Sequence, residues 1–272
     1  MTKKEDTSLA VLPSSETLAA LKNEFPQEDR KQHISLPRLS LVSQDITEEV
    51  KVGGKKQINI VTEAGTFVEE YKTDEIDPDT GKGAWAKHDL GTEIEGIIIY
   101  QRKQLRYYDQ STEKFTSSPI YDSVDEIIPL FCDGKEIARG TPRELQAQYP
   151  QKLTTSGKQR PALEENKVLY LLYGGKPYQM TVRGTSMYSF LEYARGVNPP
   201  TVVTAMSSEA KENGTTKWNQ MTFKAVRSLN ADEADEVLAT IRDIKTTIHA
   251  EKAQYTEVLP VPTGRTVAVG EF

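Results

Sequence analysis

The chain has 272 residues, with 34 Lys and Arg against 40 Asp and Glu for a formal charge of −6, and 37% of it is hydrophobic. That suffices for one large core or two small ones, while no stretch nears the roughly 18 successive apolar residues of a membrane span, and the first 35 residues lack the apolar run of a secretory signal. One cysteine, Cys132, excludes an intrachain disulfide and a multi-cysteine zinc site, and three scattered histidines (His33, His88, His249) offer little for metal or acid–base chemistry, so the expectation is a cytoplasmic protein without cofactor or catalytic centre.

Residues 1–34 are polar and carry one amphipathic stretch, Ser15 to Phe25, with Leu18, Leu21 and Phe25 at helical spacing. This reads as a flexible N-terminal arm bearing a short helix. From Ile34 to Gln44 alternating Leu36, Leu39 and Leu41 predict a strand, and Pro37 predicts an edge or lead-in position rather than a central one. Two β-rich pieces, Ile58 to Val61 and Thr66 to Tyr71, flank Glu63-Ala64-Gly65 and predict a hairpin. Asp74 to Gly83 reads as a solvated loop, and Glu95 to Tyr108 as one long strand or two, buried at its start and exposed at its end.

After a turn over Asp109 to Ser118, Val124 to Phe131 fits helix or strand. Thr141-Pro142-Arg143-Glu144 is a helix start that Pro150 must end soon after. Residues 151–163 read as a polar linker, and Lys167 to Arg183 as two strands joined at Gly174-Gly175. Ser186 to Gly196 predicts a helix with Met187, Phe190, Leu191 and Ala194 on one face. Strands over Thr201 to Met206 and Lys217 to Val226 are expected to be joined by the ten-residue polar loop SSEAKENGTT, which contains the turn dipeptide Asn213-Gly214. Asn230 and Glu233 open a last helix, with Val237, Ile241, Ile244 and Ile248 on one face, expected to reach about Ala250. The tail beyond 255 is too rich in proline and glycine to pack.

Seven to nine short strands with two or three peripheral helices predict a mainly β body, residues 35–255, of the elaborated OB-like Greek-key barrel type, with flexible termini at 1–34 and 256–272. A β-sandwich is the alternative.

Charge is segregated along this chain. Arg102, Lys103 and Arg106 stand without an acid between Ile97 and Tyr108; Lys167, Lys176, Arg183 and Arg195 face only Glu192 between 166 and 196; Lys211, Lys217, Lys224 and Arg227 face only Glu212 between 211 and 227. Seven acids lie between Val61 and Thr80 against Lys72 alone. Aromatic residues interleave with the cations: Tyr100, Tyr107 and Tyr108, then Tyr170, Tyr173 and Tyr178, then Trp218 and Phe223. Cations that follow phosphates and flat rings that accept unstacked bases, at about 1–3 kcal/mol per base, are what a single nucleic-acid strand requires. The plainer reading is that these rings are β-formers filling a core.

The catalytic patterns are incomplete. Gly184-Thr185-Ser186 has Tyr188 where a nucleophile elbow needs its second glycine. Gly53-Gly54-Lys55 and Gly174-Gly175-Lys176 lack the remaining elements of a phosphate-binding P-loop. Asp77, Asp79 and Gly81 begin like a calcium loop, with His88 where the closing glutamate belongs. A metal-dependent nuclease built on Asp79, Asp133 and Lys135 is the weakest alternative.

Residues 164–255 resemble the single-stranded DNA-binding proteins of tailed bacteriophages: a strand pair over Val168 to Arg183, Gly184-x-Ser186 opening a short aromatic helix, the strands of TVVTAMSSEAKENGTTKWNQMTFKAV and the helix ADEADEVLATIRDI. The resemblance spans about a third of the chain and implies an OB-type fold, sequence-tolerant coating of single-stranded DNA, and replication or recombination proteins as partners. The acidic tail common in that family is reduced here to Glu271-Phe272. The expected interface comprises Tyr100, Arg102, Lys103, Arg106, Tyr107, Tyr108, Lys176, Tyr178, Arg183, Lys217, Trp218, Lys224 and Arg227, with no membrane contact and self-association left open. The competing class is a phage structural or assembly protein whose tyrosine-rich strands form subunit interfaces.

Overall fold

The computed structural model describes residues 36–52, 55–76, 83–153 and 157–256, together with Ser14, Glu16 and Thr17. Its elements in chain order are β1 (Arg38–Leu41), β2 (Ile46–Val52), β3 (Lys55–Thr62), β4 (Phe67–Ile76), β5 (Gly83–Gly91), β6 (Glu93–Asp109), β7 (Lys114–Ser117), β8 (Ile128–Cys132), β9 (Lys135–Gly140), α1 (Pro142–Ala147), β10 (Gln151–Leu153), β11 (Gln159–Pro161), β12 (Glu164–Tyr173), β13 (Lys176–Val182), α2 (Gly184–Gly196), β14 (Val202–Asn213), β15 (Thr216–Ser228) and α3 (Ala231–Thr256). The protein is mainly β. Eleven strands form one sheet in the order β5-β4-β1-β13-β12-β6-β7-β8-β9, with β14 paired to β6 and β15 to β14. Among the described strands only β1 and β13 run parallel.

Both faces of the central strands are covered, and this explains the nearly continuous apolar run of β12. Val168, Tyr170 and Leu172 share one cluster with Ile97, Ile99 and Tyr100 of β6 and with Val237, Ile241 and Ile244 of α3. Alternate residues Leu169 and Leu171 join a second cluster with Met180, Val182, Phe190 of α2 and Met221 of β15. A third, around Leu105, Leu130 and Leu145, lies under α1. The α3 stripe recurs at helical spacing, and a reciprocal cap fixes its start: Glu233 N–H donates to Asn230 Oδ1 at 2.9 Å, and Asn230 N–H donates to Glu233 Oε2 at 3.0 Å. Thr141 and Glu144 cap α1 in the same way.

Several expectations change. The sheet is open, running from β5 to β9 without a pairing among the described residues that closes it, so the expected barrel does not form. β1 is an interior strand between β4 and β13. Pro37 is tolerated because it precedes the strand and contributes only its carbonyl, which accepts from Gln179 N–H at 3.0 Å. The strands flanking Glu63-Ala64-Gly65 both form but pair elsewhere, β3 with β2 and β4 with β1 and β5. β4 continues through Ile76 into the expected loop, β7 forms inside the expected turn over Asp109 to Ser118, β14 runs on to Asn213 through most of the expected ten-residue loop because it stays paired with β15, residues 151–163 contain the β10–β11 hairpin, and α3 extends to Thr256. The helix expected from Ser15 to Phe25, apart from Glu16 and Thr17, lies outside the described residues, as does the C-terminal tail.

Candidate nucleic-acid interface

Gly184, at φ +56°, turns the chain from β13 into α2, a backbone state that glycine adopts without a Cβ penalty. The buried Ser186 hydroxyl then accepts Met221 N–H at 2.9 Å, tying the β14–β15 hairpin to the helix. Trp218 Nε1–H donates to Thr185 Oγ1 at 3.1 Å, setting the indole beside the helix start. These contacts form one wall of a cleft of about 690 Å³ that also exposes Arg106, Lys152, Arg160 and Arg183. A second cleft of about 670 Å³ shares Arg106, Lys152, Glu164 and Arg183 and adds Tyr107, Tyr108 and Phe115. A third, about 440 Å³, shares Arg106 and Phe115 and has Arg38, Gln104, Gln179 and Thr181 on its floor.

The three clefts adjoin around Arg106, which lines all of them, and together they make up the groove. Five cations (Arg38, Arg106, Lys152, Arg160, Arg183) line it against three acids (Glu70, Asp109, Glu164). The Arg106 guanidinium lies 4.6 Å from the centroid of the Phe115 ring. Burial, and after it the charges of Arg183 and Arg38, hold its pKa below the ordinary arginine value. Like charges gathered in a partly desolvated cleft favour an anion that completes the site.

Five of the thirteen expected interface residues line this groove: Arg106, Tyr107, Tyr108, Arg183 and Trp218. Tyr108 is 54% exposed, whereas Tyr107 is half-buried and packs edge-on against Tyr149 at 5.2 Å.

The other eight stand elsewhere. Tyr100 is 3% exposed and packs against Tyr170 beneath α3. Arg102 is 1% exposed: Nε–H donates to Asp122 Oδ1 at 2.7 Å, and Nη2–H to Asp122 Oδ2 and Ile120 O at 3.1 Å each. Both are structural and unavailable to a ligand. Tyr178 is buried and donates to Glu69 Oε1 at 2.8 Å, and burial, followed by that carboxylate, pushes its pKa up to about 12. Lys103 is half-buried and, an odd number of residues from Arg106, belongs to the opposite face of β6. Lys176 is exposed at the β12–β13 turn, and Lys217 and Lys224 are exposed on β15 but do not line the groove. Arg227 is held by Glu233 through hydrogen bonds of 2.7 and 2.5 Å.

Arg38, Phe115, Lys152 and Arg160 belong to the groove but were absent from the expected set. A signal existed for two of them: residues 151–163 contain Lys152, Lys158 and Arg160 and no acid. Among the described residues no group of three or more His, Cys, Asp or Glu is placed to hold a metal ion, and no helix is long and apolar enough to cross a membrane. Asp79 lies outside the described residues, and Asp133 sits in the β8–β9 turn, 3.8 Å from Lys114. No protein-family model, curated protein or solved structure matches the chain.

Proposed function

We propose that the groove binds single-stranded DNA without regard to sequence, coating strands exposed in replication or recombination. The observation that carries this reading is the convergence of Arg106, Arg183 and Arg38 in adjoining clefts that also present Tyr108, Phe115 and Trp218. The guanidiniums meet phosphates, the rings accept bases, and the clefts, open among the described residues rather than closed around one base, suit a sequence-tolerant ligand. The relationship to phage single-stranded DNA-binding proteins, including its OB-type strand arrangement, belongs to this proposal and rests on β12, β13, α2, β14, β15 and α3. An open sheet serves the same chemistry, because the ligand needs a basic, ring-bearing groove rather than a closed barrel.

The test is a titration of tryptophan fluorescence with oligo-dT at low and moderate salt. A saturable quench that weakens with salt and disappears in Trp218→Phe is expected; no saturable change overturns the proposal. A second reading, an assembly protein, is favoured by Ile58, Ile60 and Val61, which are exposed on the β2–β3 ribbon. Large assemblies in sizing chromatography, indifferent to added DNA, would select it.

A further inference from the structure

Glu164 starts β12 directly opposite Arg106 in the register, and its carboxylate is the one acid common to the two larger clefts. It pairs with Lys152 Nζ and lies 3.0 Å from Arg160 Nη2. Yet among the described residues neither Glu164 Oε1 nor Arg160 Nε, both buried atoms, completes a hydrogen bond. The contact is therefore charge pairing with donor capacity left over. A carboxylate held tightly for structural reasons would use that capacity, as Asp122 does with Arg102.

We infer that Glu164 is an internal stand-in for a backbone phosphate: in the empty groove it occupies Lys152 and Arg160, and a strand already engaged by Arg106 and Arg183 displaces it. The inference rests on the single-strand reading of the groove. A phosphate offers more acceptor oxygens than a carboxylate and can satisfy the unused Arg160 donor. A lone phosphate or mononucleotide has to break the existing pairs without the help of neighbouring contacts, whereas successive phosphates of one strand arrive together. The groove then selects a chain of phosphates over a single one.

Polarisation titrations of labelled oligo-dT against the full chain test this. Glu164→Gln should bind about five- to tenfold more tightly at low salt, because no carboxylate has to be displaced, while its log–log salt slope stays close to that of the wild type, since the strand reaches Lys152 and Arg160 in both. Glu136→Gln makes the same charge change on β9, where Glu136 pairs with Arg139 and neither residue lines the groove, and should leave affinity nearly unchanged. Lys152→Ala should cost more in the Glu164→Gln background than in the wild type. Glu164→Ala replaces the amide variant if melting shows that the latter does not fold. The inference is overturned if wild-type protein binds but Glu164→Gln does not bind more tightly, if Glu136→Gln matches it, or if Lys152→Ala costs the same in both backgrounds. Absence of wild-type binding removes the single-strand reading as well, a different outcome from any of these.

Discussion

Arg106→Gln separates a binding residue from a structural one. In the folded protein the guanidinium has two like-charged neighbours, Arg183 and Arg38, and one favourable partner, the Phe115 ring at 4.6 Å. Each like-charge neighbour costs about the 0.2–1 kcal/mol typical of a charge pair near the surface, and the ring contact returns about 0.5–1 kcal/mol at an accessible site. These contributions nearly cancel, so the substitution should leave the urea midpoint within about 1 kcal/mol of wild type. Binding behaves otherwise, because a charged hydrogen bond to phosphate is worth about 1.5–3 kcal/mol, or about ten- to a hundredfold in affinity. The slope of log K against log salt should also fall by about 0.7. Oligo-dT titrations at four salt concentrations, beside urea unfolding of the same samples, measure both quantities. An unchanged slope, or an affinity loss matched by a parallel loss of stability, refutes the assignment of Arg106 to phosphate.

Arg102→Met should cost about 3–5 kcal/mol in urea unfolding by leaving Asp122 charged and unpaired in the interior, and Arg102→Met with Asp122→Leu should recover much of that loss. Ser186→Ala strips the buried Met221 N–H of its acceptor, for a loss of about 1–3 kcal/mol, and should broaden the β15 amide resonances in NMR spectra as the hairpin loosens from α2. The hydrogen bonds from Arg227 and, after the opposing effect of burial, from Asn230 N–H hold the Glu233 pKa below its ordinary 4.5. Its contribution is therefore fully present above about pH 4.5 and fades as pH falls through the depressed folded value. Melting temperature against pH should decline less steeply below that point in Glu233→Gln.

Local chemistry was legible wherever a short segment settles its own conformation. The caps at Thr141 and Asn230, the turns at Gly174-Gly175 and Asn213-Gly214, and the β-rich character of Glu95 to Tyr108 needed no distant partner. Pairing was not legible in the same way. The strands around Glu63-Ala64-Gly65 look like a hairpin, but Gly65 N–H donates instead to Val42 O at 2.8 Å and sends β4 to β1. A turn dipeptide reports that the chain reverses, not which strand it meets. The interface suffered from the same blindness: Arg38 comes to the groove only because β1 inserts between β4 and β13, a long-range event with no trace near residue 38.

β6 shows why clusters of basic and aromatic residues could not be sorted beforehand. Tyr100, Arg102, Gln104 and Arg106 occupy alternate positions, opposite Tyr170, Val168, Asn166 and Glu164 of β12, and so share one face. Along it burial is lost by degrees. Tyr100 lies in the cluster that α3 seals; Arg102 is still buried and must have Asp122; the part-buried Gln104 donates to Ser118 O at 2.9 Å; Arg106 reaches the groove. Nothing intrinsic distinguishes the two arginines, since four residues of strand span only about 13 Å. What separates them is the cover of the Ile120–Asp122 segment, which supplies the carboxylate and carbonyl that hold Arg102 and, among the described residues, gives Arg106 neither. A cation under that cover needs a carboxylate of the protein itself, and one beyond it has the unmet charge that a strand of phosphates can neutralise.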